Sequence, residues 1–284
     1  MDKKKWFLYS IYTVALATFF VYYLFPTERL TTFIVMQIGR IDPALQVTAA
    51  NAGLTLPPGV RLQRVQVDHG NAPLLFADDL AILPHLWTLL SDRKLYSFRM
   101  KTYEGDVNGK AEIDASEQVT IDAVVAGLRL SEIPLLKRLS ANHIEGILDG
   151  KLAYSAAGGR PEALTINLDI SNMAITLGTP FFTLDQVRFD NVHADAVLRN
   201  QHLEITRVAL TGEQIEGSLS GSASLNTDLM RSIVNLKGTV MPQQQFLENS
   251  GFQVSGSNLV GLKAGGGFPI RISGPLGDLQ LATR

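Results

Sequence analysis

From residue 44 onward, hydrophobic residues alternate with polar ones in one short segment after another. In a typical segment, Tyr96, Phe98 and Met100 take every second position, and Arg99 and Lys101 fall between or beside them. A period of two places the apolar side chains on one face of a β-strand. About fourteen such segments follow one another. The pattern therefore predicts a mainly β protein, with a large, curved, mostly antiparallel sheet that has one apolar and one polar face.

The apolar face of such a sheet needs a cover, and the sequence leaves two arrangements open. In the first, the face closes on itself as a sandwich-like core. In the second, it forms an open groove that holds a hydrophobic ligand. The residues that we expect to line such a groove are Tyr96, Phe98, Met100, Ile121, Leu148, Leu152, Ile166 and Leu168.

A few short amphipathic segments interrupt the alternation. Leucines at helical spacing predict one helix over Asp79–Ser91, and a second is predicted over Ser131–Leu139. Within the first strand region, Val60 and Leu62 are out of phase with Val65 and Val67, which predicts a bulge or bend at Gln63–Arg64.

A motif of two glycines flanking a central aliphatic residue occurs three times. Its glycines are Gly105 and Gly109, Gly146 and Gly150, and Gly217 and Gly221. Glycines two pleats apart leave one face of the strand without side chains, which permits curvature or close approach of a neighbouring backbone. The motif predicts a curved sheet built from repeated units, although chance matches in a glycine-rich β protein are the alternative.

Ahead of the β region, residues 6–25 form an uninterrupted stretch without a charge or a proline. Twenty residues of α-helix span the hydrocarbon core of a bilayer, so we expect a single transmembrane anchor. Residues 1–5 contain three lysines and would form a cytoplasmic tail. Residues 27–43 would then form a membrane-exit helix and linker, and residues 44–284 a periplasmic domain.

Two other interpretations of the N-terminal stretch remain open. Ala15, Leu16 and Ala17 fit the cleavage pattern of a signal peptide, but the residues after them remain apolar. A helix buried in the protein core is the third interpretation. The length and the lysine flank favour the uncleaved anchor.

Composition and motifs argue against catalysis. The chain is 46% hydrophobic, carries a net charge of -2 and has no cysteine, so it offers no thiolate chemistry and no basic surface for nucleic acid. His193 and His202 fall on adjacent strands, where a metal site is much less favoured than an ordinary histidine pair. Asp78 and Asp79 are better explained as helix caps than as catalytic carboxylates. We expect no enzymatic activity, cofactor or metal.

The chain resembles the protein N family of the bacterial type II secretion machinery, in its AsmA-like form. The resemblance rests on the basic tail with its anchor and on five segments, which are Phe25–Glu28, Leu56–Val60, Phe98–Gly109, Ile144–Gly150 and Phe268–Gly277. It implies an accessory or scaffold subunit in the inner membrane, with other secretion subunits and the lipid bilayer as partners. An AsmA-like protein that binds or transfers phospholipid or another hydrophobic ligand is the alternative.

Overall fold

The computed structural model describes residues 45–55, 58–69, 72–88, 90–139, 143–181, 184–226, 228–243 and 267–283, and residues 9, 12, 13 and 16 near the N-terminus. The predicted membrane-exit helix at residues 27–43 and most of the predicted anchor at residues 6–25 lie outside these ranges. Within the described residues, no helix is both long and apolar enough to cross a membrane.

In the described residues, fourteen β-strands form one open antiparallel sheet in which each strand pairs with the next along the chain. This order confirms a mainly β fold with a single large antiparallel sheet. The strands are β1 Leu45–Thr55, β2 Gly59–His69, β3 Ala72–Pro84, β4 Lys94–Thr102, β5 Gly105–Ile113, β6 Val119–Arg129, β7 His143–Ala157, β8 Arg160–Phe181, β9 Leu184–Arg199, β10 His202–Thr211, β11 Ile215–Ser224, β12 Ile233–Pro242, β13 Phe268–Pro275 and β14 Gln280–Thr283.

The second helical insert was predicted correctly and the first was not. A 3-10 helix, Leu130–Glu132, and the α-helix α1, Pro134–Leu139, occupy the second. The predicted helix over Asp79–Ser91 is wrong, because β3 continues to Pro84 and only a 3-10 turn, Leu86–Thr88, follows. Leu80 pairs across the sheet with Leu62 and Met100, and this strand pairing overrides the helical spacing.

The predicted bend at Gln63–Arg64 is confirmed. Leu62 and Val65 are both buried although two residues, rather than one, lie between them, and these two residues, Gln63 and Arg64, are both exposed. Arg64 has a φ of 50°, which rotates the chain so that the next apolar residue returns to the same face.

The core consists of clusters of apolar side chains from consecutive strands. One cluster contains Val47, Leu62, Val65 and Ala77, from β1 to β3. The other contains Tyr103, Val107, Ala123, Val125 and Leu128, from β5, β6 and the β4–β5 turn. The half-buried side chain of Met100 packs against both clusters, so they form a continuous layer on one face of the sheet.

Candidate functional site: an apolar face across the sheet

Strand register defines which residues share a face, because directly paired residues of antiparallel strands point to the same side. Starting from Phe98, the cross-strand partners can be followed in both directions to the two edges of the sheet. Every position on this path, the Phe98 row, is apolar or glycine. The row is Leu54, Val60, Ile82, Phe98, Gly109, Ala123, Leu152, Ile166, Ala196, Ile205, Gly221, Leu236, Ile272 and Leu281.

A second row lies two residues away along the strands and passes through Met100. It also crosses all fourteen strands, and all its members except Thr283, at the last edge, are apolar or glycine. The Met100 row is Ala52, Leu62, Leu80, Met100, Val107, Val125, Gly150, Leu168, Ala194, Val208, Leu219, Gly238, Ile270 and Thr283.

Shorter rows extend this surface on both sides. The Tyr96 row runs from β3 to β13 and consists of Pro84, Tyr96, Ala111, Ile121, Tyr154, Leu164, Leu198, Leu203, Ala223, Val234 and Gly274. The Leu148 row runs from β6 to β13 and consists of Leu128, Leu148, Ile170, Val192, Leu210, Gly217, Val240 and Phe268. None of the four rows contains a charged residue. We call the surface that they form the apolar face.

The dimensions of the apolar face match hydrocarbon chains. Strands lie about 4.8 Å apart, so the two long rows extend over roughly 60 Å. Adjacent rows are about 6.7 Å apart along the strands, which makes four rows about 20 Å wide. One leaflet of the hydrocarbon core is about 15 Å thick, so an extended acyl chain fits across the rows or along them.

All eight residues that the sequence singled out as groove lining lie on the apolar face. Tyr96 and Ile121 belong to the Tyr96 row, and Leu148 to the Leu148 row. Phe98, Leu152 and Ile166 belong to the Phe98 row, and Met100 and Leu168 to the Met100 row. Each of the eight is half-buried. Their role as a ligand surface stays a prediction.

Four of the six motif glycines lie in rows of the apolar face, namely Gly109, Gly150, Gly217 and Gly221. At Gly109, an added Cβ would collide with the Phe98 ring and lie 2.5 Å from the carbonyl oxygen of Asp122. At Gly221, φ is 156° and an added Cβ would lie 2.9 Å from the Cα of Leu236. Backbone and side chains from the neighbouring strand therefore approach closely at these positions, which a side chain would prevent.

One end of the apolar face is filled by the protein's own side chains. Helix α1 contacts both β3 and β7, and Ile133 beside it packs on the buried cluster around Val107. Tyr103 is buried in the β4–β5 turn, and its hydroxyl accepts a hydrogen bond of 2.9 Å from the Phe76 N–H. Burial raises the pKa of the Tyr103 phenol. Sequence reasoning missed this residue, since tyrosine is not a typical residue for a turn position with positive φ, which here is 48°.

The opposite face is polar and contains a histidine between two carboxylates. His193 Nδ1 lies 2.7 Å from Asp169 Oδ1, and His193 Nε2 lies 3.1 Å from Asp195 Oδ2. Asn167 donates a hydrogen bond of 2.6 Å to the other oxygen of Asp195. The hydrogen bond to Asp169 is the main reason why the pKa of His193 is raised, and the one from Asn167 is the main reason why the pKa of Asp195 is lowered.

This network does not have the composition of a metal centre. The described residues contain no group of histidine and acidic side chains that is suited to a metal ion. His193 and His202 lie on adjacent strands as predicted, but they do not approach each other: His193 pairs with Ala209, whereas His202 pairs with Arg199 at the far end of the same hairpin. Asp79, considered above as a helix cap, lies in β3 and forms an ion pair of 2.5 Å with Arg61.

The polar face also has a shallow concavity of about 600 Å³ over β3 to β8. Its charged lining residues are Arg99, Lys110, Asp122 and Lys151, and all four are exposed. Arg99 donates to Asn108 at 3.2 Å. Apolar side chains, among them Leu83 and Val124, also line it.

No family model, no curated protein and no solved structure matches this chain. The resemblance to the type II secretion family stays a prediction.

Proposed function

We propose that this protein is a non-enzymatic lipid-handling protein whose apolar face binds the acyl chains of phospholipid or of a similar hydrophobic ligand. In this proposal, residues 6–25 anchor it in the bacterial inner membrane and the sheet lies in the periplasm. The observation that carries the proposal is the pair of rows without a charge that cross all fourteen strands of one open sheet.

The free-energy cost of leaving such a surface wet supports a ligand. At about 25 cal/mol per Å², even 400 Å² of exposed apolar surface corresponds to roughly 10 kcal/mol. The whole free energy of unfolding of a typical domain is only about 5–15 kcal/mol. In the described part of the chain, helix α1 and its flanking residues cover the face only near β3 and β7. A bound hydrocarbon chain would replace water on the half-buried side chains of the remaining area.

Matched pairs of positions on the two faces provide the test. A photoreactive phenylalanine derivative is placed at Leu152 or Ile166 on the apolar face, or at the adjacent Ala153 or Asn167 on the polar face, in the full chain in cells. After irradiation, mass spectrometry of the purified protein identifies lipid adducts. We expect adducts at Leu152 and Ile166 only. No adducts, or equal yields on both faces, would contradict the proposal.

An accessory or scaffold subunit of the type II secretion machinery is the second candidate function. The observation that favours it is that the sheet has two edges: in the described residues, β1 pairs only with β2, and β14 pairs only with β13. A free strand edge can accept a strand from another protein by backbone hydrogen bonding.

This second function makes a separate prediction in cells. Deletion of the gene should reduce secretion of folded exoproteins, and photocrosslinking from β1 should capture another secretion subunit. Normal secretion in the deletion strain would remove this candidate and leave lipid handling unaffected.

A further inference from the structure

The loop between β3 and β4 presents the most exposed large apolar side chains of the described sheet region. It starts after Pro84 and contains the 3-10 turn Leu86–Thr88. Trp87 is 95% exposed and Leu90 is 98% exposed, while Leu86 is 51% exposed. These values are unusual, because most apolar side chains elsewhere in the sheet are buried or half-buried.

Several hydrogen bonds connect the described residues of this loop with one another and with β4. The N–H of His85 donates to Leu95 O at 2.9 Å, and the N–H of Thr88 donates to His85 O at 2.9 Å. The Thr88 hydroxyl donates to the same His85 oxygen at 2.8 Å and accepts from the Leu95 N–H at 3.0 Å. Ser91 Oγ is 2.6 Å from Arg93 O. The loop thus directs hydrogen-bonding groups inward and Trp87 and Leu90 outward.

The size of this tip fits a lipid surface better than a protein partner. Leu86, Trp87 and Leu90 together offer on the order of 400–500 Å², whereas a stable protein interface needs about 800 Å² from each partner. Tryptophan with aliphatic neighbours is the typical composition of segments that enter the interfacial region of a bilayer.

The position of the loop agrees with this assignment. It continues from the paired residues Pro84 and Tyr96, which belong to the apolar face. Tyr103 follows the last residue of β4 and therefore lies at the opposite end of the strands. Helix α1 lies at that end too, because Ile133 beside it packs against the buried cluster that contains Tyr103. Helix α1 leaves the loop end of the apolar face uncovered. Contact between the loop and a bilayer would therefore bring this uncovered end to the lipid.

We propose that the β3–β4 loop is a membrane-contact loop that inserts Trp87 and Leu90 into the surface of a phospholipid bilayer. The insertion itself does not depend on lipid binding by the apolar face. Its consequence, that lipid reaches the apolar face at this end, rests on the proposed function.

Fluorescence of the full chain in vesicles tests the insertion. The chain has two tryptophans, Trp6 and Trp87, so Trp6→Phe leaves Trp87 as the single reporter. The variant is reconstituted in phosphatidylcholine–phosphatidylglycerol vesicles with or without acyl-brominated phosphatidylcholine. We expect blue-shifted emission that bromine quenches, and weaker quenching in the additional variant Leu90→Ser. The control carries Trp6→Phe, Trp87→Phe and Ala153→Trp, which places the reporter on the exposed polar face, and should not be quenched.

Each other outcome would overturn the proposal. Emission typical of tryptophan in water, equal with both lipids, would show that the loop stays in solvent. Blue-shifted emission without quenching by bromine would show that protein covers Trp87. Adduct formation at Leu152 is measured in parallel: quenching without adducts would reject lipid binding by the apolar face and retain the loop, whereas adducts without quenching would do the reverse.

Discussion

The ring of Phe98 occupies the space above Gly109, its direct cross-strand partner in the middle of the apolar face. The aromatic ring covers backbone that has no side chain of its own, which is a known way to stabilise a glycine in a sheet. The contact therefore keeps the surface of the Phe98 row apolar at Gly109, where a side chain is missing.

Gly109→Ala should therefore destabilise the fold. The added Cβ would lie 2.5 Å from Asp122 O as well as against the Phe98 ring, and backbone cannot move as easily as a flexible side chain. Overpacking of this kind costs about 1–3 kcal/mol of the free energy of unfolding. Denaturant unfolding of the full chain, followed by circular dichroism, measures the change.

Gly53 provides the matched control for this substitution, since nothing lies within 4 Å of the Cβ that Gly53→Ala would add. We expect no loss of stability there, or a gain of up to about 1 kcal/mol from the reduced entropy of the unfolded chain. Equal effects at Gly53 and Gly109 would contradict the close packing of Phe98 over Gly109.

Tyr103→Phe should also lower the free energy of unfolding, by about 1–3 kcal/mol. The substitution keeps the ring in the buried cluster but leaves the N–H of Phe76 without the hydroxyl that accepts its hydrogen bond. Tyr154→Phe is the control, because the structure describes no hydrogen bond of the half-buried Tyr154 hydroxyl. A smaller effect at Tyr103 than at Tyr154 would contradict the structural role of the Tyr103 hydroxyl.

Much of the apolar face was predictable from sequence, because a period of two assigns each residue of a regular strand to a face. The eight expected lining residues share a face for this reason. Strand register was not predictable, since it depends on turns such as Tyr103–Glu104, whose positive φ values have no glycine or asparagine to indicate them. Trp87 was missed because Leu80, Leu83, Leu86 and Leu90 imitate a helix, which placed it within a regular element rather than on a loop.

The network around His193 predicts a pH-dependent contribution to stability. Its folded pKa is raised, chiefly by the hydrogen bond to Asp169, so the folded state binds the proton more tightly than the unfolded state. The contribution is fully present below the ordinary histidine pKa of about 6.5 and is lost as pH rises through the raised pKa. At the acid end, protonation of the facing carboxylates Asp169 and Asp195 removes it again, while Arg207 nearby favours the charged form of Asp195.

His193→Gln should therefore destabilise the protein more at about pH 6 than at about pH 9. Unfolding midpoints of both proteins across this range give the difference, and an NMR titration of the His193 ring gives its pKa directly. The exposed His202 is the control, and His202→Gln should leave the pH dependence that His193 contributes unchanged. A ring pKa at or below the ordinary value would refute the assignment of the network.

A charge on the apolar face should abolish lipid binding, whereas the same charge one residue away should not. Leu152→Glu places a carboxylate in the middle of the Phe98 row, where a bound acyl chain would remove water from the charge. Desolvation of the carboxylate costs several kcal/mol, which corresponds to about a thousandfold loss of bound lipid. Ala153→Glu introduces the same group on the exposed polar face. With the photoreactive residue at Ile166, we expect lipid adducts to disappear in Leu152→Glu and to persist in Ala153→Glu. Circular dichroism must show the same strand content in both proteins, and equal adduct yields in the two folded variants would place the lipid elsewhere on the molecule.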